Sequence, residues 1–245
     1  MTGVIETYNV EFWSFVHRYD ISNKNILRKV IHSFLVAENS FFLACNLKLS
    51  KKECEFAYLV GLFHDLGRFE QWKRYRTYND KISVDHGVLG SQIIDELQLD
   101  SIDLCGESKE LLKDAVKYHT KNYEGEDKKT ILYSGIVRDA DKFSNLSTIA
   151  NGAMPITQTE DGFTKEIVED FKNLKPLFNY SPKTKLDRIL ILTSMVYNIK
   201  NMWLREQVIQ KQYLDIIYQR FSQELEFEDS RVLKDAIDTI KHKLL

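Results

Sequence analysis

Gly61-Leu62-Phe63-His64-Asp65-Leu66-Gly67-Arg68 is the stretch on which the reading of the fold turns. Just upstream, Ala57, Val60 and Gly61 share one helical face, so His64 stands at the end of an apolar stripe. Outward from this pair, side chains with metal-ligand chemistry recur in a fixed order: His32, His64-Asp65, His86, His119, Asp141. Four of the 6 histidines belong to the series. Neutral imidazole and carboxylate are ligands for divalent first-row metals. Adjacent His and Asp offer a nitrogen and an oxygen from neighbouring positions. Six such positions are enough for two ions that share one carboxylate.

The flanking sequence reads as all-helical. Apolar residues recur at spacings of three and four, as in Ile26, Val30, Ile31, Phe34, Leu35 and again in Leu111, Leu112, Ala115, Val116. No well-bounded alternating strand is found. The pattern predicts helices over 24–47, 51–64, 84–98, 107–120 and 130–148, then 161–174, 184–200, 203–223 and 229–243. Asp229 or Ser230 is expected to cap the last. The 3 prolines, at 155, 176 and 182, all fall in or beside 151–183, and the first 150 residues have none. That stretch is the expected seam between a metal-binding core, 1–150, and a C-terminal helical extension, 151–245, packed on it as one compact unit.

Composition narrows the class. At 245 residues, 43% hydrophobic and 29% charged, the chain has the make-up of an ordinary globular protein, neither disordered nor membrane-embedded. A formal net charge of −2 argues against general nucleic-acid binding, and no stable nucleic-acid complex is expected. Cys45, Cys54 and Cys105 are scattered, odd in number and without a CxxC, which fits reduced thiols in a cytoplasmic protein. Neither a signal peptide nor a bilayer-spanning apolar run is read.

The candidate ligands sit where helical bundles build metal sites. His119 lies one turn beyond Ala115 and Val116, and His86 shares a face with Gly90, Ile93 and Leu97. Gly87 and Gly90 would let a neighbouring helix come close. His32 is flanked at i−4 and i+4 by Arg28 and Val36, a less apolar setting. In Arg138-Asp139-Ala140-Asp141-Lys142 the two aspartates are about 200° apart on a helix, so one of them reaches a given ion. A single helix-facing histidine is more often a hydrogen-bonded core residue than a ligand. The reading therefore rests on the ordered set.

His32, His64-Asp65 and Asp141 resemble the H…HD…D signature of the HD-domain metal-dependent phosphohydrolase superfamily. The local strings agree: 61–68 resembles the HD-x-G turn of that family, and Val137-Arg138-Asp139-Ala140-Asp141-Lys142 resembles the segment bearing its last aspartate. The resemblance covers 24–148, and 184–223 more weakly resembles the helices that follow the core in small bacterial members. It implies an all-α HD-domain helical bundle. It also assigns the last ligand role to Asp141, leaving Asp139 to support it. His86 and His119 extend the pattern to H…HD…H…H…D, which resembles the dinuclear members. Carried over, His32, His64 and Asp141 hold one metal, His86 and His119 the other, and Asp65 touches both. His64 and Asp65 are the implied catalytic residues. The paired histidines and GYP string of the cyclic-di-GMP phosphodiesterases in the superfamily are lacking.

The resemblance implies a hydrolase acting on a small phosphorylated substrate, a nucleotide among the options, through a metal-activated water. Four imidazoles favour Mn, Fe, Co, Ni or Zn over Mg, one or two per chain. Residues 68–76 read as a basic loop in which Arg68, Lys73, Arg74 and Arg76 are candidate phosphate contacts, with Trp72, Tyr75 or Tyr78 stacking on a base. A solvated charged loop over packed aromatics is the plainer alternative. Lys142, beside Asp141, is a further substrate-binding candidate, and Lys121 and Asn122 follow His119 at the same mouth. Two other classes stay open: an HD-fold di-iron oxygenase with a similar donor set, and a non-catalytic ligand-binding regulatory module.

Overall fold

The computed structural model describes residues 3–99, 102–121, 123–154 and 156–244. Asn122 and Pro155 thus lie outside the described residues. Among those described there is no strand, only an isolated bridge between Glu160 and Thr184. Among the described residues no helix is long and apolar enough to cross a membrane. The chain divides into two compact units, Met1–Asp141 and Lys142–Leu245.

The first unit contains α1 (Gly3–Val16), α2 (Lys24–Asn46), α3 (Lys51–Phe63), α4 (Leu66–Tyr75), α5 (His86–Asp95), α6 (Lys109–Tyr118) and the start of α7 (Lys128–Ala150). Side chains fix where these helices begin. Asn23, Asp85 and Ser108 accept from the free amides of α2, α5 and α6, and Ser50 and Glu53 form a reciprocal capping box on α3. The helix α1, not anticipated from the sequence, buries Phe12 and Phe15 against Phe34, Phe63 and Phe69.

Two close approaches shape the bundle around the HD pair. A Cβ on Gly61 would lie 2.9 Å from both Ala37 Cα and Val36 O, so α2 and α3 nearly touch there. A Cβ on Gly67 would lie 2.1 Å from His86 O and 2.8 Å from Gly90 N, which brings α4 onto the first turn of α5. Only glycine leaves room for backbones this close.

The run 68–76 is helical rather than a loop. From Arg68 to Arg76 it has no glycine or proline, and the Glu70–Arg74 pair, 2.6 Å apart, supports a helical turn at i,i+4. The helix stops at Arg76, whose φ of 53° is left-handed and whose amide donates to Trp72 O.

The second unit holds α8 (Lys165–Lys172), α9 (Lys185–Thr193), α10 (Met202–Gln210), α11 (Tyr213–Phe221) and α12 (Phe227–Leu244), following the end of α7. The single helix expected over 203–223 is broken at Gln212, which takes a left-handed φ of 53°. The helix expected over 184–200 tightens into a 3-10 turn at Ser194–Asn198. Asp229 does not cap α12, which starts at Phe227. Its carboxylate accepts from the amide of Gly162 instead.

Candidate metal centre

Three helix junctions deliver the candidate ligands. His64 and Asp65 occupy the two-residue break between α3 and α4, His86 is the first residue of α5, and His119 directly follows α6. His32 projects from α2 and Asp141 from α7. The structure brings all six together. His32 Nε2 lies 2.8 Å from Asp141 Oδ1, and His64 Nε2 lies 3.9 Å from the same oxygen. The Asp65 carboxylate is split between two groups. Its Oδ2 is 3.4 Å from His64 Nε2 and 3.8 Å from His32 Nε2, while its Oδ1 is 3.5 Å from His86 Nε2. His86 Nε2 and His119 Nε2 are 3.2 Å apart.

The far side of each ring is tied down. His64 Nδ1 donates to Gly61 O at 2.7 Å and His119 Nδ1 to Val116 O at 2.6 Å. A carbonyl only accepts, so these contacts put the ring proton on Nδ1 and leave the Nε2 lone pair facing inward. His86 Nδ1 donates in the same way to Asp80 Oδ2 at 2.6 Å. Arg138 secures His119 from behind by donating to the carbonyls of Tyr118, His119 and Lys121, which closes the C-terminus of α6.

This donor set fits a divalent transition metal. Among the described residues His64 Nε2 is fully buried with no hydrogen-bond partner, a state that costs free energy unless something accepts its lone pair. Donor atoms of His32, His64 and Asp141 lie within 4.8 Å of one another, as do those of His64, Asp65 and His119. A family model, HD domain, matches residues 30–146, a span that contains all six side chains.

Residues 30–146 are an HD domain. HD domains are a superfamily of metal-dependent hydrolases that bind divalent ions, and the His/Asp clusters of this one suit that chemistry. No curated protein and no solved structure matches the chain at a significant level.

The electrostatics of the HD domain separate acids from imidazoles. Burial pushes the Asp65 carboxyl up, but Lys29, whose Nζ is 2.7 Å from Oδ2, together with His64 and His86 holds it well below the usual range. Burial also raises Asp141, and the hydrogen bond and charge of His32 outweigh it, so this carboxyl too stays low. Desolvation lowers His32 and His86, and with His86 and His64 nearby it takes His119 down to about 3. His64 alone is pushed upward, because Asp65 and Asp141 overcome its burial. Ionised carboxylates beside the neutral imidazoles of His32, His86 and His119 are the protonation states that ligands need.

A pH dependence follows for the metal-stripped protein. An imidazole lowered in the folded state leaves the unfolded chain binding more protons below the ordinary 6.5. The stability that it contributes is present above that pH and is lost as pH falls towards the folded value. His119 alone gives a slope approaching about 1.4 kcal/mol per pH unit over this window, and the upward shift of His64 opposes it in part. Chelated protein is expected to unfold at a lower urea concentration at pH 4.5 than at pH 7.5. A flat or rising midpoint on acidification would contradict these shifts.

The basic residues read from the sequence are dispersed. Arg68 lies at the centre, its Nε 3.6 Å from Asp65 Oδ1. Lys73 and Arg74 pair with Glu70 on the outer face of α4, and Arg76 ends that helix. Lys142 belongs to the second unit, where it donates to Asn198 O. Lys121 pairs with Asp85. Tyr78 meets Trp72 at 5.1 Å between ring centroids and donates to Asn25 O, while Tyr75 is exposed. Sequence reasoning passed over Lys29 and Asp80. Lys29 stands one turn before His32 on the same helix face, a spacing that was open to notice. Asp80 opens a single 3-10 turn, Asp80–Ile82, too short for any periodicity to point to His86.

Proposed function

We propose that this HD domain is a cytoplasmic metal-dependent phosphohydrolase that cleaves a small phosphate ester, nucleotides included. The observation that carries the reading is a pair of cations beside the ligand set. Lys29 leans on Asp65, and Arg28 and Lys29 stand 5.7 and 5.3 Å from the centre of the Tyr78 ring. The half-buried Arg28 makes no ion pair among the described residues, which leaves a guanidinium for an anionic group.

The donor set favours Mn, Fe, Co, Ni or Zn, since four of the six ligands are imidazoles. Two such ions would supply Lewis acidity towards a phosphoryl oxygen and a water of lowered pKa. The residues of the chain do the rest. His32, His64 and Asp141 would hold one ion and His86 and His119 the other, with the Asp65 carboxylate facing both sets. Arg28 and Lys29 orient the phosphate. The intact ligand set speaks against a binding-only module.

The test begins with protein stripped by a chelator and reloaded with each metal in turn. It is screened for phosphate release from p-nitrophenyl phosphate and nucleoside monophosphates. Stripping is expected to lower turnover by on the order of a hundredfold or more, the scale of several kcal/mol of lost charge stabilisation. Absence of phosphate release with every metal, joined to dioxygen consumption in the iron-loaded protein, would replace this reading with the oxygenase one.

A further inference from the structure

We infer that Arg68 and Asp80 are positioning residues that lock His86 onto the shared carboxylate Asp65. The inference rests on the two-ion reading above and assigns a task to two residues that the ligand set leaves out.

Four side chains form a closed circuit. His86 faces Asp65 through Nε2 at 3.5 Å and donates from Nδ1 to Asp80 Oδ2 at 2.6 Å. Arg68 joins the two carboxylates, with Nη1 2.5 Å from Asp80 Oδ1 and Nε 3.6 Å from Asp65 Oδ1. Both ends of the His86 ring thus meet carboxylates that one guanidinium holds in place. The Arg68 side chain is only 15% exposed, and Nη1 is also within 2.7 Å of Gln71 Oε1 and of Tyr78 O. Its Nε is buried without a hydrogen bond among the described residues and faces Asp65 Oδ1 at 3.6 Å.

The circuit also folds the loop that carries Asp80. Gln71, fully buried one turn after Arg68, reaches Asp80 Oδ1, Ser83 Oγ and Val84 O from a single amide nitrogen, at 2.8, 2.8 and 3.0 Å. The backbone from Tyr78 to Val84 is thereby drawn onto α4, and the Asp80 carboxylate is presented to the first residue of α5. The Asp80 carboxylate accepts on both oxygens, from His86 Nδ1 on Oδ2 and from Arg68 Nη1 and Gln71 Nε2 on Oδ1. An anionic acceptor on Nδ1 fixes the tautomer of a ligating histidine and strengthens Nε2 as a donor.

A substrate-gripping role for Arg68 leads to a different result. Removing a phosphate contact weakens substrate binding and leaves metal binding alone, whereas removing a positioning residue weakens the ion that His86 holds. Mn²⁺ isotherms on the full chain separate the two, with far-UV circular dichroism to confirm folding. Wild type is expected to bind two ions. Asp80→Ala and Arg68→Ala should weaken the second by about 10- to 100-fold and leave the first unchanged. Asp80→Asn keeps the volume and an accepting oxygen, so it should fold and lose less. Arg68→Lys should rescue only in part, because one ammonium cannot span both carboxylates. A wild type with one ion would overturn the two-ion reading and this proposal with it. Two ions of wild-type affinity in Asp80→Asn and Arg68→Ala would overturn the proposal alone, as would equal weakening of both ions.

Discussion

Asp65→Ala is expected to abolish phosphate release and to cost the protein both ions. Its two oxygens face different histidine sets, Oδ2 towards His32 and His64, and Oδ1 towards His86. No other side chain of the six is divided in this way in the distances given above. On the proposed two-ion reading, loss of the one group facing both ligand sets should lower turnover by more than about a thousandfold, on the order of 4 kcal/mol of transition-state stabilisation. Asp65→Asn separates charge from shape. The amide keeps the volume between Lys29 and His64 but brings no negative charge, so it should fold and remain inactive. Phosphate release and metal content per chain check both variants. Near-wild-type turnover in either would sink the mechanism.

Gly67→Ala should be the most damaging small substitution in the first unit. Its new Cβ would meet His86 O at 2.1 Å and Gly90 N at 2.8 Å, both backbone atoms that no rotamer change can move. The helices α4 and α5 must separate, at a cost of about 3 kcal/mol or more. The same separation pulls His86 from Asp65, so the folded fraction should also bind the second ion poorly. Gly135→Ala, in the middle of α7, is the contrast. Nothing lies within 4 Å of its added Cβ, and it should gain up to about 1 kcal/mol from helix propensity. Urea unfolding of the two variants beside wild type decides the matter. Equal midpoints for the two would show that α4 and α5 are not held backbone to backbone.

The helical class was readable from the chain because periodicity is local. Spacings of three and four in 24–47 and 107–120 need no knowledge of what packs on them, and α2 and α6 lie inside those windows. The reading weakened where polarity hid the pattern. The helix α4 is rich in charge, and only Glu70–Arg74 pairing and the absence of breakers argue for it. The break at Gln212 carries no glycine or proline to announce it.

The same division runs through the site. By itself the sequence determined an all-helical chain and an ordered set of six metal-ligand side chains, since their chemistry and order are properties of the chain. Tertiary structure alone decided how they face one another. The split of Asp65 between two histidine sets, the Lys29 ammonium on its Oδ2 and the grip of Asp80 on His86 depend on helix crossings at Gly61 and Gly67 and on a loop folded by Gln71. Lys29 and Asp65 are 36 residues apart, and His32 and Asp141 are 109 apart. Contacts across such separations are set by the packing of whole helices, and no local pattern records them.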